Sequence, residues 1–308
     1  MKFYIVDAFT DTVFGGNPAG VVILEKESDF PEDEVMRKTA AELRYSETAF
    51  IKQIGEKEFH IRYFTPAAEV DLCGHATIGS FFALTDAGLV KFGSSYICNT
   101  LAGRLNIDLS RDSVLMDMGA PQAINRITQK EALHELYSIM GISEENQGEV
   151  LAGSGRETIS FDGNPGTVLI PEMISTGLPD IMMPVRNEKE LAAIAPDFAA
   201  LTKLSEKYEV VGVHAFTVNA DDGAVRCRNF APLYDIDEEA ATGTSNGALT
   251  YYLYKNGLLN EGTENLFLQG EAMNRPSKIM SRLTISDGNV KIQVGGSAAI
   301  LAYGEINL

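Results

Sequence analysis

Arg62-Tyr63-Phe64-Thr65-Pro66 and Arg228-Asn229-Phe230-Ala231-Pro232 are two copies of one pattern, Arg-x-Phe-x-Pro, set 166 positions apart. The same offset lays Ala49-Phe50 on Ala215-Phe216. Acidic residues follow each copy, Glu69 and Asp71 in the first, Glu238 and Glu239 in the second. A glycine turn comes next: Cys73-Gly74-His75-Ala76-Thr77 in one, Thr242-Gly243-Thr244-Ser245-Asn246 in the other, with three extra residues before the second glycine. Each turn runs into a helical pattern, Ile78 to Ala87 and Ala248 to Asn256. Upstream, Phe59, Ile61 and Tyr63 alternate with His60, Arg62 and Phe64, the period of a strand. Gly55-Glu56-Lys57 and Asp222-Gly223 are turn signals that join strands into hairpins. A repeated hairpin, acidic loop, glycine turn and helix predicts a duplicated α+β protein with pseudo-twofold symmetry, its ligand at the junction of the halves.

Outward from the repeats, Pro31, the acidic Glu32, Asp33 and Glu34, and a stripe of Met36, Ala40 and Leu43 predict a helix before the first hairpin. Asp117 to Pro121 ends a strand, and residues 119–128 are expected to cross into the second half. A helix is expected over Thr128 to Ile142, with Leu133, Leu136 and Met140 on one face, and another from Glu188 to Leu201. A chain of 308 residues exceeds what one core organises well. The expected domains are 1–118, joined by a closing strand 298–308, and 119–297.

The net charge of −18, with no basic run longer than two residues, argues against nucleic acid, whose phosphates need clustered Lys and Arg. A small anionic metabolite must then be held by local groups. The longest apolar runs, Gly20 to Leu24 and Ala298 to Ala302, are too short to span a bilayer. Met1 to Asp7 reads as a strand and not as a signal peptide, so no membrane association and a cytoplasmic location are expected. Cys73, Cys98 and Cys227 lack CxxC spacing, and His60, His75, His134 and His214 lack ligand spacing. Neither disulfides nor a metal are expected.

The two glycine turns open helices, whose unpaired N–H groups and positive dipole end suit a carboxylate or phosphate. The plainer reading is an ordinary strand-to-helix turn; the duplication favours the anion site. Glu47 lies between a helix end and an apolar strand, where partial desolvation suits proton transfer, although a lone glutamate is more commonly a surface residue. His75 is either a proton donor and acceptor beside a bound ligand or a helix cap. Cys73 is either an activated thiol at a helix start or a buried small hydrophobe. Glu238 and Glu239 are either a solvated loop or part of the site.

Asp7-Ala8-Phe9, Gly16-Asn17-Pro18-Ala19-Gly20, Ser46-Glu47-Thr48, Arg62 to Pro66, Cys73 to Thr77 and Ala240-Ala241-Thr242-Gly243 together resemble the PhzF family of phenazine-biosynthesis-like isomerases and predicted epimerases. Gly177-Leu178-Pro179, Pro196-Asp197-Phe198 and Gln269-Gly270 with Arg275-Pro276-Ser277 extend the likeness over nearly the whole chain. The resemblance implies the diaminopimelate-epimerase-like fold: two pseudo-symmetric domains, each a barrel-like sheet around a central helix, with the active site in the cleft. It also implies proton transfer without a cofactor, and a homodimer. The family's catalytic glutamate falls on Glu47, its histidine on His75 and its second acid, usually an aspartate, on Glu239. Anion contacts fall on Gly74, His75, Gly243 and Thr244, with Asn17, Ser46, Cys73 and Thr242 also placed in the substrate site.

The related diaminopimelate epimerase uses a cysteine in each glycine turn. Here Cys73 has Thr242 as its counterpart, and a hydroxyl is far too weak an acid to match a thiol. The resulting expectation is a cofactor-independent isomerase or epimerase of a small carboxylate-bearing metabolite. Glu47 would move the proton, with His75 and Glu239 positioning or relaying. The alternatives are a racemase or lyase dependent on Cys73, and a non-catalytic metabolite-binding protein.

Overall fold

The computed structural model describes residues 1–110, 112–144, 147, 150–152 and 166–308. In chain order they begin β1 (Lys2–Ala8), β2 (Asn17–Ile23), α1 (Asp33–Leu43), β3 (Thr48–Gly55), β4 (Glu58–Phe64), β5 (Glu69–Val70) and α2 (Gly74–Asp86). Next come β6 (Ser94–Thr100), β7 (Gly103–Leu109), β8 (Val114–Asp117), β9 (Gln122–Arg126), α3 (Lys130–Ile139), β10 (Val150–Leu151) and β11 (Val168–Leu169). Then follow β12 (Glu172–Ser175), β13 (Pro179–Pro184), α4 (Glu188–Ala193), α5 (Phe198–Tyr208), β14 (Gly212–Thr217) and β15 (Val225–Ala231). The chain closes with β16 (Ile236–Glu239), α6 (Gly243–Lys255), β17 (Glu264–Gln269), β18 (Ser277–Ser286), β19 (Asn289–Gly296) and β20 (Ala298–Glu305).

Two compact units result. One comprises Met1–Asp117, Arg275–Lys278 and Gly295–Leu308; the other comprises Met118–Asn274 and Ile279–Val294. In the first, the strand order is β20-β1-β2-β3-β4-β6-β7-β8. The β2–β3 and β4–β6 pairs are parallel and the others antiparallel. α2 is buried along most of its length, mainly through Ala76, Ile78, Phe81, Ala83 and Leu84, as a helix enclosed by other elements must be. It touches β20 and β1 at one end of the strand order and β8 at the other, so the sheet curls around it. α1 covers the outer face with Met36 and Ala40 against Val22, Leu24, Phe50 and Phe64.

The second unit repeats this order as β9-β12-β13-β14-β15-β17, with the same alternation of antiparallel and parallel pairs. Its central helix is α6, which packs on β12 and β13. Residues 119–128, expected to be a simple crossing, contain β9, which pairs with β12. The single helix expected from Glu188 to Leu201 is instead two. Pro196 has no N–H to continue a helix and biases Ala195 toward extended backbone. The Asn187 side chain caps α4 by accepting from Glu190 N, and Asp197 caps α5 by accepting from Ala200 N.

The repeats match in atomic detail. Arg62 grips Glu69 through two parallel hydrogen bonds of 2.7 and 2.6 Å, and Arg228 grips Glu238 through two of 2.8 Å. Each guanidinium also stacks on the phenylalanine two residues on, Phe64 at 5.1 Å and Phe230 at 4.9 Å. Glu238, not Glu239, is therefore the partner of Glu69, and the offset has grown from 166 to 169. Both central helices span 13 residues. Their caps, Cys73 (φ −134°, ψ 115°) and Thr242 (φ −128°, ψ 103°), have nearly the same backbone. The helices begin at the glycines themselves, so each glycine turn is the first helical turn.

Candidate active site

Glu47 is placed by the end of α1 and the start of β3. Arg44 takes the left-handed conformation that stops α1 (φ 62°), and Thr48 begins β3 three residues after Tyr45. The Glu47 carbonyl accepts from Gly20 N on β2 at 3.3 Å, which pins its backbone to the sheet. Its side chain is only 17% exposed. Oε2 is shielded from solvent and lies 3.3 Å from His75 Nε2, in ion-pair range but without the alignment of a hydrogen bond.

His75, the second residue of α2, is buried. Its Nδ1 meets Asn17 Nδ2 at 3.3 Å and Cys73 Sγ at 3.4 Å; its Nε2 meets Ser46 Oγ at 3.4 Å. Burial holds the imidazole pKa below its ordinary value, with the Glu47 carboxylate opposing the shift. Neither Cys73 nor Thr242 caps its helix through the side chain. The first N–H groups of α2 thus open beside the carboxylate, thiol and imidazole. Asn17, Ser46, Glu47, Cys73, Gly74 and His75 come together in the first unit.

Glu47, Cys73 and His75 each place one ligand atom within 4.8 Å of the others, a donor set of types suited to zinc. Their arrangement fits an ion poorly. Cys73 Sγ stands 3.4 Å from Nδ1 and 3.8 Å from Nε2, nearly equidistant from the two nitrogens. It therefore lies beside the ring and not at the end of either lone pair. Shared coordination would require the ring to turn away from Asn17.

Glu239, Thr242, Gly243 and Thr244 lie in the second unit, around the start of α6. Thr242 Oγ1 donates to Glu239 Oε2 at 2.8 Å. Gln269, at the end of β17, accepts from Thr242 N (3.3 Å) and Asn246 Nδ2 (2.8 Å). Its amide donates to Thr242 Oγ1 (3.1 Å) and to the Glu239 carbonyl (2.8 Å). At the offset of 169 the counterpart of Glu239 is Val70, so this acid has no symmetric partner in the other repeat.

Sequence reasoning missed the buried polar chain beneath that turn. Ser245 Oγ donates to Asp180 Oδ2 at 2.5 Å, while Asn229 Nδ2 donates to Ser245 Oγ at 2.9 Å and to His214 Nδ1 at 3.1 Å. Burial pushes Asp180 up to about 6 and His214 down to about 3. No spacing signal links these residues; only the second-unit topology gathers them. Two surface cavities of about 640 and 840 Å³ open elsewhere in the second unit, one beside Phe198 and Pro232, the other beside Tyr137 and Leu169. Glu238 lines the first, but neither Glu47, Cys73 and His75 nor Glu239, Thr242, Gly243 and Thr244 line either.

Among the described residues no helix is long and apolar enough to cross a membrane. Residues 6–304 match the family model of phenazine biosynthesis-like proteins, PhzC-PhzF. The chain is 30% identical to the uncharacterized isomerase YddE of Escherichia coli K12, over 99% of this chain and 97% of that one. It is 32% identical to an uncharacterized isomerase of Deinococcus radiodurans, over 97% and 92%. The crystal structure of a Bacillus anthracis phenazine biosynthesis protein of the PhzF family superposes with a TM-score of 0.82 at 24% identity, covering 100% of this chain and 99% of that one. The fold is the diaminopimelate-epimerase-like α+β fold, and the chain is an isomerase belonging to the PhzC-PhzF family of phenazine biosynthesis-like proteins.

Proposed function

We propose that the chain is a cofactor-independent isomerase or epimerase that moves a proton on a small carboxylate-bearing metabolite, with Glu47 as its single general acid and base. The observation that carries this reading is the position of Glu47 Oε2, screened from solvent and 3.3 Å from His75 Nε2 at the start of α2. In the proposed reaction Glu47 takes a proton from carbon, and charge developing on the substrate meets the free N–H groups of the helix start. Glu47 then returns the proton at a new position or on the other face. His75 orients the carboxylate. In the second repeat, the hydroxyl of Thr242 replaces a thiol and is engaged by Glu239, which supports a one-sided mechanism. Glu239 in this reading positions Thr242. A homodimer and a cytoplasmic location belong to the same proposal, supported by the family likeness and by the sequence features described above.

The test is a proton–deuterium exchange screen of carboxylate metabolites in D₂O, read by NMR, comparing the wild-type chain with Glu47→Gln. A positioned acid-base group contributes roughly 10²–10⁴-fold, so the variant should lose at least about 10²-fold in exchange rate. Equal rates in the two proteins would sink the mechanism. The place of Cys73 at the N-cap of α2, where the positive end of the helix favours a thiolate, supports a second reading, a racemase or lyase using that thiol. Exchange retained in Cys73→Ala and lost in Glu47→Gln excludes that reading; the opposite pattern selects it.

A further inference from the structure

The Asn17 amide meets a ring nitrogen of His75, where family likeness placed it against substrate. An amide nitrogen can only donate, so His75 Nδ1 must accept, and a neutral imidazole accepting at Nδ1 carries its one proton on Nε2. Nε2 faces Glu47 Oε2 at 3.3 Å and Ser46 Oγ at 3.4 Å. We propose that Asn17 is a positioning residue: its amide fixes the tautomer of His75, so that the single imidazole proton sits on Nε2, the nitrogen bonded to Ser46 and beside Glu47.

Asn17 is itself held firmly enough for this task. It is 6% exposed and opens β2, paired with Ala8 of β1. The preceding Gly16 has φ +60°, and a Cβ there would lie 2.0 Å from the Ala8 carbonyl oxygen, so only glycine can precede the asparagine in this path. Arg275, distant in sequence, donates from Nε to the Gly16 carbonyl at 2.8 Å and from Nη2 to the Gly15 carbonyl at 2.7 Å. The same Nη2 pairs with the buried Asp7 at 2.6 Å, and the other Asp7 oxygen accepts from Phe14 N at 2.8 Å. The backbone leading to Asn17 is thus clamped at three points. His214 supplies an internal comparison, because its Nδ1 also receives an asparagine amide, that of Asn229.

The consequence for catalysis rests on the reading of Glu47 given above; the tautomer itself does not. It can be read without substrate from the ¹⁵N shifts and long-range ¹H–¹⁵N couplings of the histidine rings, with His75 assigned by its absence in His75→Gln. The wild-type protein should show protonated Nε2 and bare Nδ1 for both His75 and His214. Asn17→Asp places an acceptor at Nδ1 and should move the His75 proton there, with His214 unchanged. Asn17→Ala should yield both His75 tautomers. A wild-type His75 protonated at Nδ1, or an Asn17→Asp protein still protonated at Nε2, would overturn the proposal. The wild-type spectrum decides even if a variant fails to fold. In the D₂O exchange assay Asn17→Asp should then lose roughly 10²–10⁴-fold, since a wrong tautomer costs up to about 10⁴ in the Ser-His-Asp triad. A moved proton with unchanged exchange would uphold the tautomer assignment and count against the role given to Glu47.

Discussion

Replacing Arg275 by leucine tests whether the clamp on the Asn17 loop is a stabilising feature of the first unit. The substitution removes charge-assisted bonds to Asp7 Oδ1 (2.6 Å), the Gly15 carbonyl (2.7 Å) and the Gly16 carbonyl (2.8 Å). It leaves Asp7, whose side chain is 2% exposed, with one backbone donor, Phe14 N. Breaking a fully buried pair costs about 3–5 kcal/mol because the remaining charge stays desolvated. The Arg275 side chain is 28% exposed, so water already weakens the pair and reaches part of the vacated space. The expected loss is therefore about 2–4 kcal/mol. Urea unfolding followed by circular dichroism would report it as a lower midpoint of the transition that includes the first unit. Asp7→Asn in the Arg275→Leu background removes the stranded charge and should recover about 1 kcal/mol or more. A loss below about 1 kcal/mol for Arg275→Leu, or strictly additive variants, would refute the argument that this pair clamps the loop.

The Tyr63 hydroxyl and Thr77 Oγ1 meet at 2.7 Å in full burial, with Thr77 Oγ1 donating to the Cys73 carbonyl. Tyr63→Phe and Thr77→Val should each cost about 1–3 kcal/mol, and the double variant clearly less than their sum, as read by a double-mutant cycle in urea. Gly212→Ala should cost about 3 kcal/mol, because the new Cβ would sit 1.8 Å from the Phe230 carbonyl oxygen of the paired strand; a thermal-denaturation midpoint within about a degree of wild type would contradict this. His214 is a base whose folded pKa is pushed down to about 3, so its contribution to stability is present above 6.5 and is lost as pH falls toward 3. Relative to His214→Gln, the wild type should weaken by up to about 1.4 kcal/mol per pH unit across that window, and parallel stability curves would disprove it.

The duplicated architecture was legible because its signals are local and occur twice. Arg-x-Phe-x-Pro, the turn residues of the hairpins and the glycine before each central helix appear in the same order in both copies. Spacing also showed that the second copy is three residues longer. The helix boundary at Pro196 was readable in principle, since proline ends helices, but the apolar pattern running from Glu188 to Leu201 masked it. Asn17, Ser46, Glu47, Cys73 and His75 were nameable from short motifs, yet nothing local indicates that the Asn17 amide points at a histidine ring. Gln269, Asn246, Asn229, His214 and Asp180 were harder still. Each is a buried polar residue with no motif around it, and each has at least one partner fifteen or more residues away. A buried hydrogen-bond network is a property of topology, and strand order must be known before its members can be recognised.

The three additional residues of the second copy fall between Pro232 and Glu238, where a short turn, Pro232–Tyr234, and the left-handed Asp235 (φ 61°) take up the slack. The repeat changes phase there, while the arginine fork and the helix that follows keep their geometry. Ala67-Ala68 is the corresponding stretch in the first copy. The change of phase marks it as a splice point, and transplanting Leu233–Asp237 in place of Ala67-Ala68 should lengthen the first loop without disturbing the Arg62–Glu69 fork or the first turn of α2.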